Sequence, residues 1–147
     1  MEAKPMKNVG KVFLGMTMEE VVIAIGEPDN KAKALWSEDT KDQSWEYKNL
    51  GFELSFYEDY NFLCGSIDVY SRAVMLEGIK PIGVSEENFL DMFPDVVMTD
   101  DFEGSGRCYD YSKKEIMFWV SDGVVDNFTL FPRYDETGEK PIWPKRD

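Results

Sequence analysis

The feature that most constrains this sequence is an internal repeat, because two copies of one pattern must fold alike and then pack together. In the first copy a glycine precedes an amphipathic run that begins at Thr17 and closes at Gly26-Glu27-Pro28-Asp29. In the second copy a glycine precedes a similar run that begins at Ser85 and closes at Pro94-Asp95. The same order of signals, met twice, predicts one small structural unit in tandem.

Each copy predicts a short helix. Thr17 and Ser85 are residue types that cap the first free backbone amides, and Glu20 completes a capping box with Thr17. Acidic residues follow in the first turn, where the helix dipole favours them. A proline after each run prevents the helix from continuing.

After each helix the apolar period changes from helical to two, which predicts an antiparallel β-meander. We therefore expect an α+β fold with repeat units at residues 10–70 and 78–131, helices on one face of the sheet, and a C-terminal tail at 132–147 that is loose apart from Trp143. Both units form one compact domain. The predicted core is Phe52, Leu54, Phe56, Ile67, Val69, Ile116, Phe118, Val120, Phe128 and Leu130.

The residues that alternate with this core are too aromatic for a face that only meets water. They are Glu53, Ser55, Tyr57, Asp68, Tyr70, Glu115, Met117, Trp119, Thr129 and Phe131. Tyrosine, tryptophan and methionine beside a few carboxylates are typical of protein interfaces. We predict that this face binds a protein, with Trp36 and the loops at Glu38-Asp39 and Asp100-Asp101 at its rim. The alternative is that the tail or another subunit covers it.

The charge of the chain limits the class of partner. Lysine and arginine number 16 against 29 aspartates and glutamates, which gives a formal charge of −13. This argues against nucleic acid and anionic membranes as partners and favours a basic protein. The alternative is that the negative charge serves solubility alone.

The sequence favours binding over catalysis. It has no histidine, which removes imidazole as a base or a metal ligand. Acidic pairs such as Asp91 and Asp95 could support a carboxylate hydrolase, but at this composition they carry no specific signal. We expect no cofactor and no metal. Cys64 and Cys108 are expected to be buried free thiols in a cytoplasmic protein, because the first ten residues lack an apolar signal core; a disulfide is the expectation only after export.

The order of these motifs resembles a known family. Gly15-x-Thr17, a Pro-Asp after the helix and Trp45-x-Tyr47 are followed by a second copy with Gly83-x-Ser85 and Tyr109-x-Tyr111. Over residues 10–131 the pattern resembles the beta-lactamase-inhibitor-protein-like fold, which is shared with small outer-membrane assembly lipoproteins. The resemblance implies a tandem helix-plus-sheet protein whose concave sheet face holds another protein.

We expect this chain to depart from those relatives, because its first ten residues show no leader, its two cysteines do not supply a disulfide in each half, and its first cysteine is Cys64 rather than a lipobox cysteine near the start. Beta-lactamase is therefore not carried over as the target. It is also similar to small, acidic, cytoplasmic toxin-immunity proteins. We therefore predict a non-enzymatic inhibitor that neutralises a basic toxin domain, such as a nuclease. The alternative is a structural module that self-associates, for example as a homodimer, through the same face.

Overall fold

The computed structural model describes residues 1–34 and 39–146. Two helices, α1 (Met18–Ile25) and α2 (Glu86–Met92), accompany fourteen strands within these residues. The strands are β1 (Glu2–Lys4), β2 (Asn8–Val9), β3 (Val12–Phe13), β4 (Asn30–Lys33), β5 (Gln43–Tyr47), β6 (Phe52–Phe56), β7 (Cys64–Val69), β8 (Met75–Leu76), β9 (Val97–Phe102), β10 (Gly106–Tyr111), β11 (Ile116–Ser121), β12 (Val124–Leu130), β13 (Arg133–Tyr134) and β14 (Pro141–Ile142).

One eight-stranded sheet dominates the fold, and its strand order is β4-β5-β6-β7-β12-β11-β10-β9. Every neighbouring pair in it is antiparallel, and the two halves join where Leu130, Thr129 and Phe128 of β12 pair with β7. The expected α+β class is confirmed. Because β4 and β9 end the order, they are the two edges of the sheet.

Both helices begin where the sequence predicts. The Thr17 side chain accepts from the Glu20 amide at 3.1 Å, and the Glu20 carboxylate accepts from the Thr17 amide at 3.0 Å, which completes the capping box. The Ser85 side chain caps α2 by accepting from the Asn88 amide at 3.2 Å. These bonds satisfy amides that the first turn of a helix leaves without a partner.

The ten residues predicted as core are all buried, none more than 2% exposed, so the period-two pattern correctly assigned this face of the sheet. Helix α2 contributes Phe89, whose ring centroid lies 4.8 Å from that of Phe118 and 5.3 Å from that of Tyr109. The same buried cluster includes Val21 from α1. Burial of this cluster supplies the main driving force for folding.

The turn between β11 and β12 shows why the second meander has its register. Asp122 and Gly123 both have positive φ, 52° and 76°. Two-residue hairpins favour this conformation because it matches the twist of the flanking strands, and Asp-Gly adopts it readily. The turn predicted at Asp122-Gly123 is confirmed.

Several segments predicted as loops or loose ends form strands instead. The polar start forms β1 and β2 in a small sheet of order β3-β2-β1-β8. The presumed loop at Asp100-Asp101 is part of β9, and the tail contains the hairpin β13-β14. These strands are short or polar and are held by backbone hydrogen bonds rather than by a buried apolar face. Their sequences therefore show no alternation of apolar and polar residues. The Glu38 half of the other predicted rim loop lies outside the described residues.

The C-terminal tail is attached to the first helical segment. The Trp143 ring lies over Gly15, where a Cβ atom would come within 3.0 Å of it, and meets the Tyr60 ring edge-on at 5.8 Å between centroids. The Arg146 guanidinium donates to the Gly15 carbonyl at 3.1 Å and pairs with Glu20. The two ends of the chain therefore pack together.

Two further observations complete the fold. Cys64 is a buried free thiol as expected, whereas Cys108 is also free but only partly buried, because it lies opposite the core face of β10. Within the described residues, neither helix has the length and apolar character needed to cross a membrane.

Candidate functional site

The candidate site is the face of the eight-stranded sheet opposite the buried core, called the open face below. Because side chains alternate along a strand, paired residues on neighbouring strands share a face. One row of paired residues crosses five strands, and another crosses four strands of the second half. The first row is Glu46, Glu53, Asp68, Thr129 and Met117. The second row is Asn127, Trp119, Cys108 and Asp100.

Five of the predicted binding residues lie on these two rows, namely Glu53, Asp68, Met117, Trp119 and Asp100. Tyr70 follows β7 directly and reaches the same face, where its hydroxyl donates to Glu46 Oε2 at 3.0 Å. The two rows therefore bring together carboxylates and aromatic side chains that are far apart in sequence.

The remaining predicted residues have other positions. Asp101 lies on the opposite side of β9, with its Oδ1 3.4 Å from Arg107 Nε, so its assignment to the same rim as Asp100 was wrong. The two aspartates diverge because consecutive residues of a strand point to opposite faces. Trp36 lies outside the described residues. Tyr57 and Phe131 lie at the end of the open face that the tail approaches.

Tyr57 belongs to a packed aromatic cluster at that end. Its hydroxyl shares a hydrogen bond of 3.0 Å with Ser66, and its ring meets the Tyr60 ring at 5.6 Å between centroids. Tyr60 in turn contacts Trp143 of the tail. Burial raises the pKa of Tyr57 and, more strongly, that of Tyr134 in the tail. This end of the face is therefore covered by the chain itself.

The other end of the open face contains a groove of about 530 Å³, called the seam groove because it lies where β7 ends beside β12. Its lining residues come from both halves of the chain. They are Glu46, Glu53, Asp68, Tyr70, Arg72, Ile82, Gly83, Val124, Val125, Asp126 and Asn127. Four of these side chains are carboxylates and one is a cation.

Neutral donors hold the carboxylates of the seam groove in place. Asn127 Nδ2 and Thr129 Oγ1 both donate to Asp68 Oδ1, at 2.7 Å and 2.9 Å. Asn30 Nδ2 donates to Glu46 Oε1 at 3.0 Å, and Ser44 Oγ donates to Glu53. Among the described residues, no lysine or arginine forms an ion pair with a seam-groove carboxylate.

The electrostatics of the groove follow from this arrangement. Burial raises the pKa of Asp68, the hydrogen bonds from Asn127 and Thr129 partly oppose that shift, and the negative charges of Glu53 and Asp126 add to it. Burial and the bond to Glu46 also raise the pKa of Tyr70 to about 12, so Tyr70 remains a hydrogen-bond donor at neutral pH. The groove thus holds negative charge in a position where that charge is costly.

An aromatic pair, called the aromatic patch, lies on the same face near the sheet edge. The Phe102 and Trp119 rings have centroids 5.9 Å apart. An added Cβ at Gly106 would come within 2.6 Å of the Trp119 indole and within 2.5 Å of the Val120 carbonyl oxygen. Only glycine leaves room for this ring position. Phe102 remains 51% exposed, so the patch presents apolar surface to solvent.

The sequence prediction missed Glu46, Phe102, Asp126 and Asn127. Glu46 stands between the core residues Trp45 and Tyr47, so alternation alone would have placed it on the open face. Asn127 likewise alternates with the core residue Phe128, so the same pattern would have placed it there. Asp126 gave no such signal, because β12 shifts register opposite Trp119 and Val120. A β-bulge of this kind cannot be deduced from alternation.

Within residues 1–34 and 39–146, no group of three or more cysteine, aspartate or glutamate side chains has the arrangement needed to hold a metal ion. The groove carboxylates are spread along a row and already accept hydrogen bonds, which suits recognition of cationic side chains better than coordination of an ion.

Comparison with known proteins supports the fold alone. No protein-family model matches the chain, and no curated protein sequence matches it. The crystal structure of a DUF4309 family protein (YjgB) from Bacillus subtilis is similar, with a TM-score of 0.51 and 16% sequence identity over 80% of this chain and 78% of that one. The similarity agrees with the α+β architecture.

Proposed function

We propose that this chain is a non-enzymatic inhibitor that binds a basic protein through the open face, as a cytoplasmic immunity protein would neutralise a nuclease-type toxin domain. The observation that carries the proposal is the seam groove. Its lining contains four carboxylates, and three of them, Glu46, Glu53 and Asp68, accept hydrogen bonds from neutral donors rather than from cations of the described residues.

A lysine or arginine from a partner would complete this arrangement. Charge-assisted hydrogen bonds between a guanidinium or ammonium and a carboxylate are stronger than those between neutral groups. Asp68 illustrates the gain, because burial and the neighbouring charges of Glu53 and Asp126 disfavour its ionised form. A cation in the groove would relieve that cost, so the binding free energy includes the removal of a repulsion as well as a new contact.

The aromatic patch supplies the second half of the proposed interface. Interfaces depend on a few large side chains, and tryptophan and tyrosine are common among them. Trp119 and Phe102 lie on the same face as the groove, and Tyr70 lies inside it. We infer that the partner places cations in the groove and apolar side chains on the patch.

The formal charge of −13 supports a further property of the complex. Opposite net charges accelerate diffusional encounter, and this acceleration falls as salt screens the charges. The association rate constant should therefore decrease with ionic strength while the dissociation rate constant changes little. An association rate that is independent of salt would contradict electrostatic steering.

We also propose that the two halves are tandem copies of one unit, with both helices on one face of the sheet. Each half has a capped helix followed by a four-stranded meander, and the two meanders meet through their last strands, β7 and β12. In this arrangement the open face is one continuous surface built twice from the same pattern, which suits an extended partner.

The test is affinity capture from the native source lysate at low and then moderate salt, with mass spectrometry of the bound protein. The test variant combines Trp119→Ala with Asp126→Asn. The matched control combines Ile23→Ala with Asp91→Asn, which removes an exposed apolar side chain and one negative charge elsewhere. Both variants have the same net charge, so a difference between them reports the surface and not the overall charge.

We expect the wild-type chain and the control to retain one basic protein in stoichiometric amount, and the test variant to lose it. Retention by the test variant at moderate salt would refute the open face as the binding site. If nothing is captured and the test variant instead disrupts a dimer of the wild-type chain, the self-associating module is the correct function.

A further inference from the structure

The two edge strands of the eight-stranded sheet, β4 and β9, differ in the residues that they expose. Strand β4 carries Lys31 and Lys33, and charged side chains, lysine above all, discourage other chains from pairing with an exposed edge. Lys31 is moreover engaged, with its Nζ 2.9 Å from Glu27 and 4.6 Å from the centroid of the Trp45 ring. The β4 edge is thus protected against strand pairing.

Strand β9 has a different composition. All six of its residues are exposed, none of them is lysine or proline, and its two charged residues, Asp100 and Asp101, are both acidic. Its pairing with β10 shifts register between Cys108 and Tyr109. Val97 is 64% exposed, Met98 49% and Phe102 51%, which is unusual for apolar side chains so close together on a strand. An edge of this kind leaves backbone N–H and C=O groups directed outward, ready to pair with another strand.

The charges along β9 define what kind of strand can pair with it. Asp100 lies on the open face and Asp101 on the other, so a carboxylate flanks the edge on each side. Glu103 follows directly in the turn. Opposite charges across a strand pair stabilise it and like charges destabilise it. Asp100 and Phe102 share the open face and Asp101 lies on the other, so a strand that carries cationic as well as apolar side chains on each face fits this edge. The β9 strand of a second copy would bring aspartates together.

We propose that β9 is a docking edge on which a basic, extended segment of the protein partner adds as a ninth strand. The added strand would pair with the backbone of β9, contact Val97 and Phe102 through apolar side chains, and place cations beside Asp100 and Asp101. Six paired residues span about 20 Å. The proposal rests on the proposed function only in that the partner is basic.

The position of β9 allows one partner to add a strand at this edge and to contact the open face at the same time. Phe102 belongs both to β9 and to the aromatic patch, since its ring contacts Trp119 on the open face. A strand added at the edge would therefore continue the open face outward by one strand, beside the patch. Backbone pairing supplies affinity in this mode, and the pockets beside the edge supply specificity.

The test uses three synthetic dodecapeptides that repeat Lys-Lys-Val-Val, so that each face of the extended peptide carries both lysine and valine. One is unmodified, one carries N-methyl groups on alternate backbone amides, and one carries them on every backbone amide. The methyl groups remove backbone donors on one side or on both sides of the extended peptide but leave its charge unchanged. Binding is followed by isothermal titration calorimetry and by amide hydrogen exchange of the whole chain.

We expect the unmodified peptide to slow exchange at alternate amides of Val97–Phe102. The fully N-methylated peptide should bind at least about tenfold more weakly than the half-methylated one, because an edge pairs with only one side of an added strand and the half-methylated peptide keeps one side free of methyl groups. Equal binding by all three peptides would show attraction by charge alone and would overturn the proposal. Protection confined to β4 or to the seam groove would overturn it as well.

Two variants of equal net charge separate this inference from the proposed function. Asp100→Asn with Asp101→Asn should weaken binding of the unmodified peptide at least about fivefold, whereas Asp59→Asn with Asp91→Asn should not. The seam-groove change Asp126→Asn should leave protection of β9 by the peptide intact. Loss of the captured partner in the Asp126→Asn variant, with no peptide effect at β9, would support the function and refute the edge.

Discussion

Tyr57 provides a quantitative test of the statement that one end of the open face is covered by the chain itself. Its ring contacts Tyr60, its hydroxyl bonds to Ser66, and Gly65 lies so close that an added Cβ would come within 2.3 Å of the ring. Truncating a fully buried aromatic side chain to alanine costs about 3–5 kcal/mol. Because Tyr57 is only partly buried, Tyr57→Ala should cost about 2–3 kcal/mol.

The smaller changes should separate the ring from its hydroxyl. Tyr57→Phe removes the hydroxyl, and with it the bond to Ser66, and should cost about 1 kcal/mol. Gly65→Ala should destabilise the wild-type chain, because its Cβ displaces the Tyr57 ring. In the Tyr57→Ala background the same change should cost at least about 1 kcal/mol less, since the ring is gone.

Urea unfolding followed by tryptophan fluorescence measures these differences, and thermal unfolding should show a fall in Tm of about 4–12 °C for Tyr57→Ala. Ile23→Ala is the control, because Ile23 is 82% exposed on α1 and its loss should change stability by less than about 0.5 kcal/mol. If Tyr57→Ala costs no more than the control, or if the two changes at Gly65 and Tyr57 are additive, the ring is not packed and the cluster does not exist as described.

Three other predictions follow from the electrostatics and the tail. The stability of Asp68→Asn relative to wild type should increase as pH rises from below 4 toward 7. The pKa of Asp68 is raised in the folded wild type, so the protonated carboxyl stabilises the fold only at pH values below that pKa, and the variant has no such group to ionise. Glu86→Gln should lower the unfolding free energy at pH 7 by about 1 kcal/mol, through weaker bonds from Tyr109 and Arg107. Trp143→Ala should accelerate proteolysis within the tail without lowering the affinity of the seam groove for its partner.

Each of these results has a clear contrary outcome. Urea unfolding at several pH values checks Asp68→Asn, and a difference from wild type that is independent of pH would show that the carboxyl is not perturbed. The pKa of Glu86 is lowered chiefly by the Tyr109 hydroxyl. The difference in unfolding free energy between wild type and Glu86→Gln should therefore shrink as pH falls through the pKa of Glu86 in the folded state. A tail that resists limited trypsin digestion after Trp143→Ala would mean that the β13-β14 hairpin holds it alone.

The predictable part of this structure is the part in which local sequence signals and burial agree. Thr17 and Ser85 begin their helices, and the alternating residues of β6, β7, β11 and β12 form the core as predicted. In each case one pattern reports both the backbone conformation and the side that is buried. Those patterns were sufficient to predict the α+β class.

The unpredicted part depends on contacts that leave no period in the sequence. β4 and β9 are exposed on both sides, so neither helical nor strand alternation marks them. The separation of Asp100 from Asp101 required knowing that this segment is a strand. The seam groove required the register between β7 and β12, which is set by pairing over a separation of about sixty residues. No local property of Asp126 or Asn127 contains that information.

The contact between the tail and the first helical segment also bears on the order in which the protein folds. Arg146 bonds to Gly15 and pairs with Glu20, so these contacts join residues 131 and 126 positions apart. The entropy of closing such a long loop must be lost before the contact stabilises anything, so contacts of this separation form late. The aromatic cluster of Tyr57, Tyr60 and Trp143 therefore becomes complete only after the hairpins of the sheet have formed. One end of the open face reaches its final form in the last stage of folding.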